Sequence, residues 1–397
     1  MRLRFLESAM AAAALAGGCV HFRSSSPPTG TSAAITAHDL ETRLTAFAHD
    51  SMMGREAGTI WNAKAAEYVA AQFARFGLRP AGENGTWFQT VPNIRARDTT
   101  HRAPARNVVA IFPGADPALR NEYVAITAHN DHIGYARSPI DHDSLKAFNI
   151  VVRPMGADSR NRAPTGEEPD QIRTILDSLR RAHPPRRDSV FNGADDDGSG
   201  TIALIELAEA FGRGTVRPKR SILFVSHTAE EKGLLGSLWF TDHPTVPLDS
   251  IVAEVDVDMI GRGAAADIKG GGATYLEVVG LRRLSNEFGD WLEAANAKQR
   301  VPFVFNYEFD APGHPLQYYC RADHYSYARY GIPSVSLSRG GHMDYHMLTD
   351  EPQYIDYADY ARLTQMVFDG LVAVANADHR PTLSVPKPAD PHSGCRQ

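Results

Sequence analysis

The chain has 397 residues, 43% of them hydrophobic and 22% charged, which is enough for one large or two medium domains with a sizeable core. A formal net charge of -6 and the absence of any block of Lys and Arg argue against a phosphate-tracking groove, so nucleic acid is not an expected partner. Three cysteines are too few for a disulfide scaffold.

Met1-Arg2-Leu3-Arg4 leads into a small-residue apolar run over 8–15 and then Ala16-Gly17-Gly18-Cys19, the layout of an export signal. The run is far shorter than the roughly 20 residues of a membrane-spanning helix. It resembles a bacterial lipoprotein signal, although Leu15 stands four residues before Cys19 where such signals usually have Leu three before. The resemblance implies a lipidated Cys19, membrane attachment through it, and a location in the periplasm or cell envelope. Residues 20–36, rich in Ser, Pro, Thr and Gly, read as a flexible linker.

Folding is expected to start near His38 and to end near 378. Ala65, Tyr68, Val69, Phe73 and Phe76 recur at helical spacing, and Gly77 offers a stop, which predicts a helix over 62–76. Short β-rich runs at 107–112 and 123–128 read as strands. From 138 to 188 the pattern gives way to Pro, Arg, Asp and Ser with a weak helical segment at 172–179, an insertion too long for an ordinary loop. Order returns with a helix over 201–212, strands at 221–226 and 251–257, and a helix start near Gly233 between them. A strand at 275–279, a helix through Leu281 to Leu292, a strand at 333–338 and a helix over 356–376 follow. Strands alternating with helices predict an α/β fold, a mixed, largely parallel sheet covered on both faces. The Pro-rich remainder, 379–397, is expected to be disordered. Cys320 and Cys395 are either a pair in an oxidising compartment or two free thiols.

Five places carry chemistry, each at the end of a predicted strand or helix, where open α/β sheets build their sites. The central one is Gly193-Ala194-Asp195-Asp196-Asp197-Gly198-Ser199-Gly200, three adjacent carboxylates at the mouth of a helix. A solvated acidic face would explain that stretch alone; the other four make a cation the better explanation. His129 follows the strand at 123–128, with Asp131 placed to hold its second ring nitrogen. Glu230-Glu231 leaves the strand at 221–226, and a cleft that holds both needs a cation for one and a proton for the other. Alternation sends Asp256 and Asp258 to one side of an apolar strand, where an unpaired carboxylate is costly. Tyr345-His346, with Asp350 after it, follows Gly340-Gly341. Two His with three or four carboxylates and no Cys suit zinc, and the excess of oxygens suits two ions.

These segments, in this order, together with Gly54-Arg55 and Gly77-Leu78-Arg79-Pro80, resemble the zinc aminopeptidase family that includes the glutamate carboxypeptidases, over roughly 38–376. The resemblance implies that Asp195 bridges two zinc ions and that His129, Glu231, Asp258 and His346 are the remaining ligands. It further implies that Glu230 is the general base and that the Asp195–Asp196 peptide is cis. Asp131, His132, Asp196, Asp323, His324 and Asp350 then fall in a surrounding shell or line the cleft. The chain departs from the family in having Asp256 where members often have Asn, and His346-Met347-Leu348 where H-T-P is usual. The activity implied is hydrolysis of peptide bonds, first as an aminopeptidase. The alternatives are a carboxypeptidase or dipeptidase using Arg262, Arg321 or Arg339 for the substrate carboxylate, a glutaminyl cyclase relative with a single zinc, and a non-enzymatic binding lipoprotein.

Overall fold

The computed structural model describes residues 31–395 and 397. The expected export signal and the first part of the linker lie outside the described residues. The end of the linker caps the first helix: Thr36 accepts the Asp39 N–H at 3.0 Å and starts α1, Ala37–Phe47. Thr59 likewise caps α2, Ile60–Arg75, whose buried Ala65, Ala66, Val69 and Phe73 are the helical-period residues of the sequence. Next come β1, Arg79–Pro80; β2, Phe88–Val91; β3, Ala105–Phe112; β4, Tyr123–His129; and β5, Tyr135–Asp141. Helices α3, His142–Val152, and α4, Glu168–Ala182, lead to β6, Arg187–Val190, and α5, Gly200–Arg213. The second half holds β7, Ser221–His227; α6, Leu235–Asp242; β8, Ile251–Val257; β9, Tyr275–Val279; α7, Asn286–Ala297; and β10, Val304–Asn306. It ends with α8, His324–Ala328; β11, Ser334–Ser338; and α9, Tyr357–Asn376.

Nine of these strands form one sheet in the order β1-β3-β7-β4-β8-β11-β9-β10, with β2 also paired to β3. The centre, β7-β4-β8-β11, is parallel, while β3 against β7 and β9 against β11 run antiparallel. Central strands are buried on both faces, which is why they read as nearly continuous apolar runs. Val108, Val124 and Ile222 face the large core made with α1, α2, α5, α7 and α9. Their neighbours Val109, Ala125 and Leu223 face a smaller cluster with Phe240 of α6 and Tyr327 of α8. The α/β expectation therefore holds, and no described helix is long and apolar enough to cross a membrane.

The insertion contains the expected helical segment within α4, and β5 and β6 form a two-stranded ribbon that carries the packed pair α3 and α4. One expectation changes. The C-terminal stretch, expected to be disordered, runs along the body. Ser384 N–H donates to the Leu284 carbonyl at 2.8 Å, Ser285 Oγ donates to the Thr382 carbonyl at 2.7 Å, and Cys395 is disulfide-bonded to Cys320. Pro and small polar residues left that stretch without periodicity, but it is held by backbone groups, by Glu122 against Arg380, by Glu287 against His379 and the Thr382 N–H, and by the disulfide.

Candidate metal centre

The parallel strands β4, β7, β8 and β11 all point their C-terminal ends at one cleft. Each delivers a short loop there: His129 to His132, Glu230-Glu231, Asp258-Met259, and the turn that ends at His346. Between β6 and α5 lies the acidic turn. Its shape is set by Gly193 at φ +54°, where an added Cβ would stand 2.3 Å from the Asp196 carbonyl oxygen and 2.5 Å from His132 Cγ. Arg55, fully buried, ties the turn to the β4 loop by donating to the carbonyls of Asn192 (2.6 Å), Gly193 (2.8 Å) and Asn130 (3.3 Å). Burial pulls this guanidinium down to about 10, against the pull of Asp350, Asp131, Asp196 and Asp197.

The three adjacent aspartates go three ways. Asp195 turns away from the cleft, its Oδ1 accepting the Gly261 N–H and its Oδ2 lying 3.1 Å from His342 Nε2. Asp197 points at the sheet, accepting N–H groups of His129 (3.0 Å) and Met259 (3.2 Å), and that of Gly200 (2.8 Å) as a cap for α5. Asp196 enters the cleft. Its Oδ1 lies 3.3 Å from His129 Nε2 and its Oδ2 lies 3.0 Å from His346 Nε2. The aspartate that faces histidines on both sides of the cleft is therefore Asp196, where the resemblance implied Asp195, and the cis peptide is Asp196–Asp197, one residue later than expected. The cap explains the shift. Once Asp197 is committed to α5, three residues before Gly200, the residue ahead of it faces the opposite way.

Around Asp196 the donors form two groups. On one side Glu231 Oε2 lies 2.8 Å from His346 Nε2, and Glu231 Oε1 lies 2.7 Å from His132 Nδ1. On the other, His129 Nε2 is 3.7 Å from Asp258 Oδ1 and 4.0 Å from Glu230 Oε2. His132, Asp196, Glu231 and His346 present ligand atoms within 4.8 Å of one another, as do His129, Asp197 and Asp258. His132 thus sits in a donor group, closer than the surrounding position expected of it, and nothing in its local sequence separates it from His129. Asp131 lies behind His129: its carbonyl is 3.2 Å from Nδ1, its carboxylate 3.7 Å, and that same carboxylate accepts the Glu230 N–H. Asp350 accepts the N–H groups of Asp195 and Asp196 and so braces the acidic turn. Asp323 is buried near His129, pushed up to about 7 chiefly by burial. His324 does not reach the donors; its ring packs on Tyr319, and burial pushes it down to about 3.

Asp256 does not reach the donor groups either. It lies deep in the sheet with Glu254, both near Thr127 Oγ1 at 2.9 and 2.7 Å, and burial drives both carboxyls well above the ordinary range. Of the pair on β8 and its end, only Asp258 presents an oxygen to the donor groups.

Whether the residues suit metal ions is decided by what they lack among themselves. His129 Nε2, His132 Nδ1, Asp196 Oδ2, Glu231 Oε1 and Asp258 Oδ1 are all buried without a hydrogen bond of acceptable geometry, although they converge. Buried polar atoms are normally satisfied, and orphans this concentrated mark a place for a ligand. Charge agrees. Burial disfavours cationic imidazoles, yet carboxylates drive His129 well above its ordinary range and His346 up to about 11. A cluster that draws positive charge from its own histidines is one that cations fit, and imidazole with carboxylate is a zinc-type set. Glu230, at 12% side-chain exposure, Asp258 at 18% and His346 at 26% form the open side. Burial, with Glu231 and Asp258 adding to it and His129 opposing, holds the Glu230 carboxyl well above the ordinary carboxylate range.

A Mus musculus protein named aminopeptidase NAALADL1 is 45% identical over 78 residues, 18% of this chain and 10% of its own length. A "probable leucine aminopeptidase 2" of Aspergillus oryzae is 27% identical over 203 residues, 50% of this chain and 34% of its own length. The chain therefore spans about a third or less of these curated relatives. Among solved structures, a glutaminyl cyclase of Porphyromonas gingivalis superposes with a TM-score of 0.56 at 19% identity, over 85% of this chain and 97% of that one, a likeness of fold. The model of Peptidase family M28 matches residues 107–370, well over half of the chain and a range that takes in every donor from His129 to His346. The chain belongs to Peptidase family M28, a family of zinc-dependent hydrolases.

Proposed function

We propose that the protein is an exported aminopeptidase that works with two zinc ions and removes N-terminal residues from peptides. The observation that carries this reading is the position of Asp196, one carboxylate oxygen turned to each donor group. In this reading His129 and Asp258 would hold one ion and Glu231 and His346 the other, with Asp196 offering one carboxylate oxygen to each. Zinc bound there supplies Lewis-acid polarisation of a peptide carbonyl and lowers the pKa of water.

The chain's own residues do the rest. Glu230 stands at the open side, outside both groups of mutually close ligand atoms. Its carboxylate takes the proton of the attacking water and returns it to the departing amine nitrogen, work suited to an acid that burial raises above the ordinary carboxylate range. Asp131, through the Glu230 N–H and the Nδ1 side of His129, fixes two participants at once. Arg55 and Asp350 hold the backbone of the turn that aims Asp196.

Support for an aminopeptidase over a carboxypeptidase comes from the cations. Arg262 Nη1 is 3.0 Å from Asp344 and the same guanidinium binds Asp267, Arg339 lies 3.3 Å from Asp359, and Arg321 is 3.0 Å from Asp158. All three arginines that might read a substrate carboxylate are thus engaged by acids. An aminopeptidase needs no such cation. Hydrolysis of amino-acid p-nitroanilides by zinc-loaded protein, set against N-blocked peptides, tests this directly. Turnover confined to the blocked peptides sinks the aminopeptidase reading.

Export, a periplasmic or cell-envelope location and lipid attachment at Cys19 rest on the N-terminal residues. Mass analysis of the mature protein is expected to find Cys19 first and lipidated. A chain that retains Met1 contradicts it.

A further inference from the structure

Beside the metal centre lies a pocket whose floor is the face of the sheet. On β9, Glu277 and Val279 alternate to the same side, and across the antiparallel register they stand opposite Ser338 and Ser336 of β11. Asp258 and Met259 border the pocket on the metal side, and Tyr318, Arg321 and Asp158 also line it. The cavity therefore opens directly onto the proposed scissile position.

Its charges do not cancel. Arg321 is claimed by Asp158 through two contacts of 3.0 Å, and Tyr318 adds its hydroxyl to the same carboxylate at 3.1 Å. Asp158 comes from the insertion, so that segment neutralises the cation on the pocket wall. Glu277 is left over. It is only 2% exposed, and its hydrogen bond is a long one of 3.4 Å from the Tyr275 hydroxyl. Burial pushes its carboxyl up to about 8, with Asp158 and Asp258 adding to it and the Tyr275 hydroxyl and the more distant Arg321 opposing, as befits an acid that no cation contacts. A buried acid at a closed spot would be structural; this one lines a cavity beside the reacting centre.

We propose that this pocket receives the side chain of the residue being released and that Glu277 selects a cationic side chain, that of Arg or Lys. The proposal rests on the aminopeptidase reading above for the identity of that residue. The aromatic wall contributed by Tyr318 packs along the aliphatic stem, and the ammonium or guanidinium group supplies the positive charge that Glu277 lacks.

The test is the ratio of kcat/KM for arginine or lysine p-nitroanilide to that for leucine p-nitroanilide, in zinc-loaded wild-type protein and in Glu277→Gln. The wild-type ratio is expected at about 10 or more, and in Glu277→Gln it falls to near 1. Asp158→Asn, which frees Arg321 to approach Glu277, is expected to lower the ratio as well. A wild-type preference for leucine, or a Glu277→Gln variant in which both substrates lose activity alike, overturns the proposal. Failure of the aminopeptidase reading is separately visible. If only N-blocked peptides are cleaved, the same Arg-to-Leu comparison in those peptides decides the pocket, and a ratio near 1 there removes it. Calorimetric titration of the metal-free protein with L-argininamide and L-leucinamide gives a readout that needs no turnover; equal affinities count against Glu277.

Discussion

Asp195, Asp196 and Asp197 carry the same side chain, and their surroundings alone decide what each does. Asp196 faces two histidines across the cleft, whereas Asp195 is already bonded to the Gly261 N–H and to His342. Asp196→Asn should therefore leave purified protein with less than one zinc per chain after dialysis. Asp195→Asn should retain metal, with affinity weakened by about 10- to 100-fold through a looser turn. The opposite pattern in elemental analysis would return the bridging place to Asp195. Glu230→Gln keeps the donors intact, so metal content should stay at the wild-type level while kcat falls by about 10²- to 10⁴-fold. Loss of zinc in that variant would make Glu230 a ligand.

At the scale of elements, the insertion is docked by charge. From α3, His142 Nε2 lies 2.8 Å from Glu351, and Lys146 pairs with Asp344, which Arg262 also contacts; Arg186, just before β6, pairs with Glu351. Burial opposes ionisation of both acids, but these cations hold Asp344 and Glu351 below their ordinary values. A depressed carboxyl pKa contributes stability that is present above the unfolded-state value, roughly 4, and is lost as pH falls through the folded-state value. Hydrogen-exchange protection factors in α3 should thus hold from neutral pH down to about pH 4 and drop below it before those of β4, β7 and β8. Simultaneous loss in all of them would show that the insertion is not an independent unit. On the other side of the molecule, Arg43 of α1 is buried against Glu206 and Glu209 of α5. Arg43→Ala leaves the buried Glu206 without its cation and Glu209 with Arg213 in place of two, and should cost about 3–5 kcal/mol in urea denaturation. A loss under about 1 kcal/mol would mean that the pair is held by packing alone.

For the whole molecule, the cleft joins four strand ends, the acidic turn and the last loop, so filling it should stabilise the fold as a unit. Zinc at about 100 times its dissociation constant adds about 2.7 kcal/mol by mass action. For a chain of this size that corresponds to a thermal midpoint higher by roughly 3–4 °C for each site filled. Chelation should reverse the shift in wild-type protein and leave Asp196→Asn unmoved. A midpoint indifferent to chelator would argue that the donors are organised without ions.

The α/β architecture, the strand-end positions of the motifs and the family were legible in the chain itself, because periodicity and local chemistry are properties of neighbours in sequence. The central strands announced themselves as apolar runs and α2, α5 and α9 by their 3.6-residue period. The tertiary structure alone decided which of three identical aspartates enters the cleft, since that depends on a helix cap, on Arg55 and on partners as distant as His342 and Asp350. It alone drew His132 into a donor group and turned His324 out. It also showed how the insertion docks and that the tail is ordered, for these depend on ion pairs, backbone bonds and the Cys320–Cys395 link, which leave no hydrophobic period in a sequence. Long-range electrostatics and single contacts leave no repeat along a chain; they exist only once the chain has folded.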